Sequence, residues 1–467
     1  MNSGHVYFVG AGPGDHGLLT DKGVRCLRRA DVVLYDRLVN PKLLLHAPPE
    51  AEYIYVGKFP KHHTLRQELI QEELVRHALL HRTVVRLKGG DPGIFGRVGE
   101  ETAALDEQNI PFDIVPGVTS GIAAPLYAGV PVTHRDYGAS FAVAAGHRKK
   151  DSADELDWKA LAGIETLAFY MGINNLEQIT EQLLRHGRDP NEPALIIEWG
   201  TTSKQRSVRA SLGTLAKRAK EMAVINPAIT LVGNVNHLHN DTSWWEKKPR
   251  FGSSVVVAYD EDVSTHLEDV LEHEGAEVLV YPKTSTHPLP SPDVDWSHIP
   301  SVQFDDATAV THWFHWLKEQ SVDIRSVYSR LIATTERARV QLEQYGLSSK
   351  MAGGGSSAVR LASEPLTKHT ASSRHTYHPA SHSCLHNRFK DEERTVVYFP
   401  TEQSVAFFID GLEKGGLTDW IANVDAVCFD EETKRKASVW FYIKEEDDAS
   451  DSLHRAWQSS ENRRSTI

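Results

Sequence analysis

The run Gly12-Pro13-Gly14-Asp15-His16-Gly17 follows the first apolar stretch of the chain and is a formal match to G-x-G-x-x-G. Asp36 stands about twenty residues further on, where a dinucleotide fingerprint places its ribose-binding acid. A diphosphate, however, needs free N–H groups at a helix that opens on the glycines. Here Pro13 removes one donor, and Asp15 adds negative charge where phosphate would sit. The first helix is expected only from Thr20. Two readings remain: a glycine turn without a ligand, or a loop for a ligand that needs close backbone approach and carries little negative charge.

The elements around this loop alternate. Strands are expected over 5–9, 31–35, 83–87 and 112–115, with helices over 20–29, 65–81 and 99–108. That alternation implies parallel sheets in an α/β fold. A second run follows Pro116-Gly117, with strands over 140–145, 166–170, 194–198 and 228–232. We place an N-lobe at 1–118 and a C-lobe at 119–245, with the ligand cleft between them. The charged connector "WWEKKPRFG" then leads into a separate α/β domain at 251–467. There a helix is expected over 266–273, and strands over 277–281, 395–399 and 426–429. A helix near 403–414 lies between the last two, while the Gly/Ser/His-rich stretch 353–391 reads as a loop or disordered insert.

Composition narrows the function classes. A net charge of -12 disfavours general nucleic-acid or anionic-membrane binding. Three scattered cysteines argue against a disulfide framework and for a reducing cytoplasm. No signal peptide or membrane-spanning run is read. The insert carries His369, His375, His378, His382, Cys384 and His386, but at a spacing that fits no standard metal site, so no metal is expected.

Several stretches occur in order: "VGAGPGD", "YDRLV", "YVGK", "VVRLKGGDPGIFGR", "IPFDIVPGVTSGIAAPLYAGVPVTHRDY", "GH", "YMG" and "GTTSKQR". Together they resemble the uroporphyrinogen-III C-methyltransferase family, within the tetrapyrrole methylases, over roughly residues 4–240. The resemblance implies two methyl transfers from S-adenosylmethionine to uroporphyrinogen III, giving precorrin-2 for sirohaem or cobalamin synthesis. It also implies a homodimer. A sulfonium donor without phosphate suits a loop bearing Pro13 and Asp15.

By the family pattern Asp36 is the proton acceptor and Lys58 the proton donor. Taken singly, they read as a turn residue and a solvated surface lysine. The implied donor-binding residues are Pro13, Gly89, Gly90, Asp91, Ile94, Thr119, Ser120, Met171 and Gly200. Met171 alone reads as a core methionine. The substrate has eight carboxylates, and Arg37, Arg97, His134, Arg135 and His147 are candidates for holding them. Surface salt bridges are the competing reading for these five. Gly93, Val98 and Phe59 depart from the family pattern beside the site.

Residues 253–467 resemble uroporphyrinogen-III synthase more weakly. Tyr259-Asp260 and Asp305-Asp306 replace the residues usual there, which implies a degenerate synthase-like domain. An active synthase, giving a bifunctional chain, is the alternative. A non-catalytic tetrapyrrole-binding regulator is the rival of a different class, and the retained Asp36, Lys58 and Gly89-Gly90-Asp91 disfavour it.

Overall fold

The structure is a computed structural model. It describes residues 4–57, 67–80, 82–146, 156–239, 243–259, 264–288, 301–304, 307–319, 323–324, 330–334, 336–351, 359–361, 373–389 and 395–444. One compact unit comprises 1–282 with 379–467, and a second comprises 283–378.

The first unit opens with β1 (His5–Gly10), α1 (Asp21–Leu27), β2 (Val32–Tyr35), β3 (Glu52–Tyr55), α2 (Gln67–Leu79), β4 (Thr83–Lys88), α3 (Val98–Asp106) and β5 (Phe112–Val115). The five strands are parallel, in the order β3-β2-β4-β1-β5. Strand periodicity sends Val6, Phe8, Val32, Leu34 and Val84 to one face and Val9, Val33, Val85 and Leu87 to the other. Both faces are buried, as a parallel sheet requires. Thr20 caps α1 by accepting a hydrogen bond from the Gly23 N–H, as its sequence position suggests.

The next stretch holds α4 (Ser120–Tyr127), β6 (Phe141–Ala145), α5 (Trp158–Ala162), β7 (Thr166–Tyr170), α6 (Leu176–Arg185), β8 (Pro193–Glu198), β9 (Arg206–Ser211), α7 (Leu215–Glu221) and β10 (Ala228–Val232). Its sheet, ordered β6-β7-β10-β8-β9, is mixed rather than parallel. β6 and β7 pair in parallel, whereas β10 runs antiparallel to both neighbours and β9 antiparallel to β8. β9, "RSVRAS", escapes a search for apolar runs because it is an edge strand with polar outward positions.

Then come β11 (Ser254–Ala258), α8 (Ser264–His273) and β12 (Glu277–Tyr281). The second unit contains β13 (Thr284–Pro288), β14 (Ser301–Phe304), α9 (Ala307–Glu319), β15 (Arg330–Ala333), α10 (Glu336–Gln344), β16 (Lys350–Met351), β17 (Val359–Leu361) and β18 (Ser373–Tyr377). β13 and β18 form an antiparallel pair, and β16-β15-β14-β17 a parallel sheet. Phe304, Val310, Trp313 and Leu342 form its buried core.

The chain returns to the first unit with α11 (Pro379–Phe389), β19 (Thr395–Phe399), α12 (Glu402–Lys414), β20 (Val424–Cys428), α13 (Glu431–Ala437) and β21 (Tyr442–Ile443). These strands complete a parallel sheet ordered β12-β11-β19-β20-β21. The stretch 353–391, expected to be a loop, thus contains β17, β18 and α11. Its weak apolar periodicity misleads because α11 buries small side chains. Ala380 packs into the core of the first sheet, and Cys384 and Leu385 into the core of the third. Cys384 donates to the Pro41 carbonyl at 3.1 Å, and burial pushes its thiol up to about 12. His382 Nδ1 shares a hydrogen bond of 2.8 Å with the Tyr281 hydroxyl. Among the described residues, no group of three or more His, Cys, Asp or Glu could hold a metal ion, and no helix is long and apolar enough to cross a membrane.

Candidate active site

The carboxyl ends of β1, β4 and β5 converge. Gly12 and Gly90 exchange backbone hydrogen bonds of 3.2 and 2.7 Å, tying the first glycine loop to the loop after β4. A Cβ on Gly10 would stand 2.6 Å from the Gly117 backbone and 2.8 Å from the Gly90 carbonyl, so only glycine permits this approach. Gly90 itself has φ +69°, and a Cβ there would meet nothing within 4 Å. The backbone is therefore bare on an open side. Ligands of open α/β sheets bind outside such strand ends.

Asp91 takes on a structural task. Its Oδ1 accepts from the Gly93 N–H at 2.7 Å and its Oδ2 from the Gly117 N–H at 2.8 Å. Asp15 is engaged likewise. Its Oδ1 caps the short turn His16–Leu18, its Oδ2 accepts from the Tyr127 hydroxyl at 2.7 Å, and its N–H donates to Thr201 Oγ1. Besides placing negative charge in the loop, Asp15 thus joins it to Tyr127 of α4 and to Thr201. Half-buried Pro13 lies between these anchors, and Ile94, also half-buried, donates its N–H to the Asp91 carbonyl.

The stretch from α4 to β10 supplies the other side. Thr119, the N-cap of α4, and the N–H of Gly121 both meet the Tyr170 hydroxyl at 2.6 Å, with Ser120 between them at the start of α4. Met171 follows Tyr170 and is half exposed, not a core methionine. A Cβ on Gly200 would clash with Ala124 at 2.4 Å, and one on Gly14 with Thr202 at 2.6 Å. Phe95, Arg97, Met171, Trp199 and Thr201 all have positive φ. Each costs on the order of 1–3 kcal/mol and persists only where its surroundings enforce it. Four of these five, all but Trp199, lie in the stretches "VVRLKGGDPGIFGR", "YMG" and "GTTSKQR".

Asp36 follows the last residue of β2 beside this cluster. Its Oδ1 accepts from Arg86 Nη2 at 2.6 Å. Arg86 Nε lies 3.4 Å from Glu101, and Glu101 accepts from Lys88 Nζ at 2.8 Å. Arg86, Lys88 and Glu101 are all buried. Burial, reinforced by the Arg86 charge, lowers the Lys88 ammonium pKa from its ordinary value. Motif reading missed this trio. Its signal is visible in "VVRLK", where residues 84, 86 and 88 share one face of a buried strand and two of them are cationic.

Lys58 and His147 lie outside the described residues. Arg37 and Arg135 are exposed. Arg97 N-caps α3 and pairs with Glu100 at 2.5 Å. His134 closes its own small turn against Gly138. No contact among the described residues ties these four to the glycine loops.

A cavity of about 400 Å³ lies on another side of the first loop. Its walls include Gly14–Gly17, Thr201–Ser203, Trp245 and the end of α8, but not Asp36, Gly89–Asp91 or Met171.

Residues 5–216 match the family described as tetrapyrrole (corrin/porphyrin) methylases. A uroporphyrinogen-III C-methyltransferase of Bacillus subtilis (strain 168) is 42% identical over 438 residues, covering 89% of each chain. One of Priestia megaterium is 54% identical over 50% of this chain and 98% of its own. A solved uroporphyrin-III C-methyltransferase of Thermus thermophilus, complexed with S-adenosylhomocysteine, is 44% identical. It covers 50% of this chain and 100% of its own, at a TM-score of 0.44.

Proposed function

This chain belongs to the tetrapyrrole methylase family, and from that premise we propose that it moves two methyl groups from S-adenosylmethionine to carbons of uroporphyrinogen III, giving precorrin-2. The observation that carries the reading is the meeting of Gly12, Gly90 and Gly117 at the strand ends, next to Asp36. The bare backbone at Gly90 fits a donor that needs close approach.

The donor supplies an electrophilic methyl on a sulfonium. The protein's task is then mainly alignment and exclusion of water. Gly89 and Gly90 admit the donor to the backbone. Asp91 shapes their loop by accepting two N–H groups, and its remaining lone pairs can take a donor ammonium or hydroxyl. Ile94 and Met171 offer apolar contact, with Pro13, Thr119, Ser120 and Gly200 completing the cleft. Methylation leaves a cationic pyrrole that must lose a proton, and Asp36 is the acceptor. Arg86 holds one of its oxygens, which fixes the carboxylate direction. Lys58 is the proposed donor, and Arg37, Arg97, His134, Arg135 and His147 the proposed carboxylate holders. Residues 1–118 and 119–245 form the two catalytic lobes and 251–467 a degenerate synthase-like domain.

The test is incubation of the full chain with uroporphyrinogen III and methyl-labelled S-adenosylmethionine. Two labels per tetrapyrrole are expected, and no transfer refutes the reading. Asp36→Ala should lower kcat about 100-fold or more while donor binding stays within a few-fold. Rescue of a synthase-deficient strain by the full chain would overturn the degenerate assignment.

A further inference from the structure

The first glycine loop has five side-chain or backbone anchors among the described residues. Four come from within the two methylase lobes. Gly12 bonds Gly90, Gly14 accepts from Asn40 Nδ2 at 2.9 Å, and Asp15 meets Thr201 and Tyr127. The fifth comes from α8, beyond residue 250. Glu272 Oε1 lies 2.8 Å from His16 Nε2 and also accepts from Lys42 Nζ. Glu268, one turn earlier, pairs with Lys42 too.

These contacts form a closed clamp. Asn40 is the shared piece: its Oδ1 accepts from the Lys42 N–H at 3.0 Å while its Nδ2 holds Gly14. Glu272 thus grips both ends of the joint, His16 on the loop and Lys42 on the turn that follows the Asp36 motif. The same turn, Pro41–His46, receives Cys384 of α11. The cavity of about 400 Å³ borders Gly14–Gly17. Packing therefore does not immobilise this side of the loop, and directed bonds must.

We propose that Glu272 is a positioning residue for the methyl-donor loop, so that the synthase-like segment serves the methyltransferase by ordering its donor site. The inference rests on the reading that the Gly12–Gly17 loop borders the donor. Glu272 touches neither donor nor tetrapyrrole and works through His16 and the Lys42 turn.

The test uses the full chain. Glu272→Gln keeps the volume and one acceptor, and loses the negative charge that faces Lys42 and His16. It should raise KM for S-adenosylmethionine roughly three- to tenfold, with kcat within about twofold of wild type. His16→Ala should raise the same KM, and adding it to Glu272→Gln should give far less than the product of the two effects. Glu274→Ala, which breaks the 2.5 Å pair of Glu274 with Arg250 just beyond α8, is the control and should leave donor KM unchanged. A donor KM within twofold of wild type in Glu272→Gln overturns the proposal, as does an equal rise in Glu274→Ala. A wild-type chain with no saturable donor dependence would instead refute the methyltransferase reading on which this one stands.

Discussion

Lys88 and Lys42 occupy matching situations and respond oppositely. Both are largely buried and both touch glutamate, yet the Lys88 pKa is lowered and the Lys42 pKa raised. Burial pushes each down. At Lys88 the neighbouring Arg86 pushes the same way, and the two acids Glu101 and Asp36, both also engaged by Arg86, do not outweigh burial. At Lys42 two acids, Glu268 and Glu272, outweigh burial. The ratio of acids to cations therefore decides, and each ratio suits its place. The Lys88 cluster is buried between β4, which carries Arg86 and Lys88, and α3, which carries Glu101, within the packed N-terminal layers. The Lys42 cluster joins α8 to the turn after Asp36, so its own attraction must do the holding. The signs follow. Lys42 stabilises the fold below its ordinary value of 10.5 and loses that contribution as pH rises through its higher folded value. Charging Lys88 costs stability at neutral pH, and the cost is relieved as pH rises through its lowered value.

The largest break in this comparison is Glu101→Ala. It leaves Arg86 and Lys88 buried without their shared acid, and should cost about 3–5 kcal/mol by urea unfolding. Asp36 would lose the partner that fixes Arg86, so kcat should fall more than donor binding. A cost under about 1 kcal/mol would mean that packing, not the charge, holds the trio.

The sheet end beside Lys88 offers a second break. Gly10→Ala drives a Cβ against backbone on two sides and should cost about 2–3 kcal/mol. Gly90→Ala meets open space and pays only for its positive φ, about 1 kcal/mol. Donor affinity should reverse that order, falling about tenfold or more in Gly90→Ala because the new methyl occupies the donor's side. Calorimetric titration with S-adenosylhomocysteine reads it, and equal loss in both variants would deny that Gly90 faces the donor.

At the Lys42 end, burial pushes the Glu272 carboxyl up, but His16 and Lys42 outweigh it and the net shift is downward. Its stabilisation is full above the ordinary value of 4.5 and disappears as pH falls through the lower folded value. Wild type should exceed Glu272→Gln by about 1–2 kcal/mol at pH 7. That gap should close on acidification below about pH 4.5. A gap that is independent of pH would remove the charge from the explanation.

The legible parts of the fold were those with two buried faces. β7, β10, β12 and β19 fall where their apolar runs place them, and the Thr20 cap is where its side chain demands. β9 and α11 were not legible, because an edge strand needs few apolar residues and a helix packed through Ala380, Ser381 and Cys384 has little hydrophobic contrast. At the site, glycines announced the loops. What each carboxylate binds was hidden, since Asp15 and Asp91 look alike as free acids in sequence and both are occupied by N–H or hydroxyl donors in space. Long-range partners such as His16 and Glu272, 256 residues apart, leave no local pattern at all.

Arg97 sets the lower limit of the comparison between charge clusters. Its partner Glu100 is i+3 on α3, and both side chains are about half exposed. Such pairs contribute about 0–1 kcal/mol, because water already solvates both charges. Arg97→Met should therefore move stability by less than about 0.5 kcal/mol. If Arg97 grips a substrate carboxylate, KM for uroporphyrinogen III should still rise about three- to tenfold. Steady-state kinetics beside a thermal melt separates the two. An unchanged KM would leave Arg97 as the cap of α3 and nothing more, since its φ of +55° and its Glu100 pair then account for all that it does.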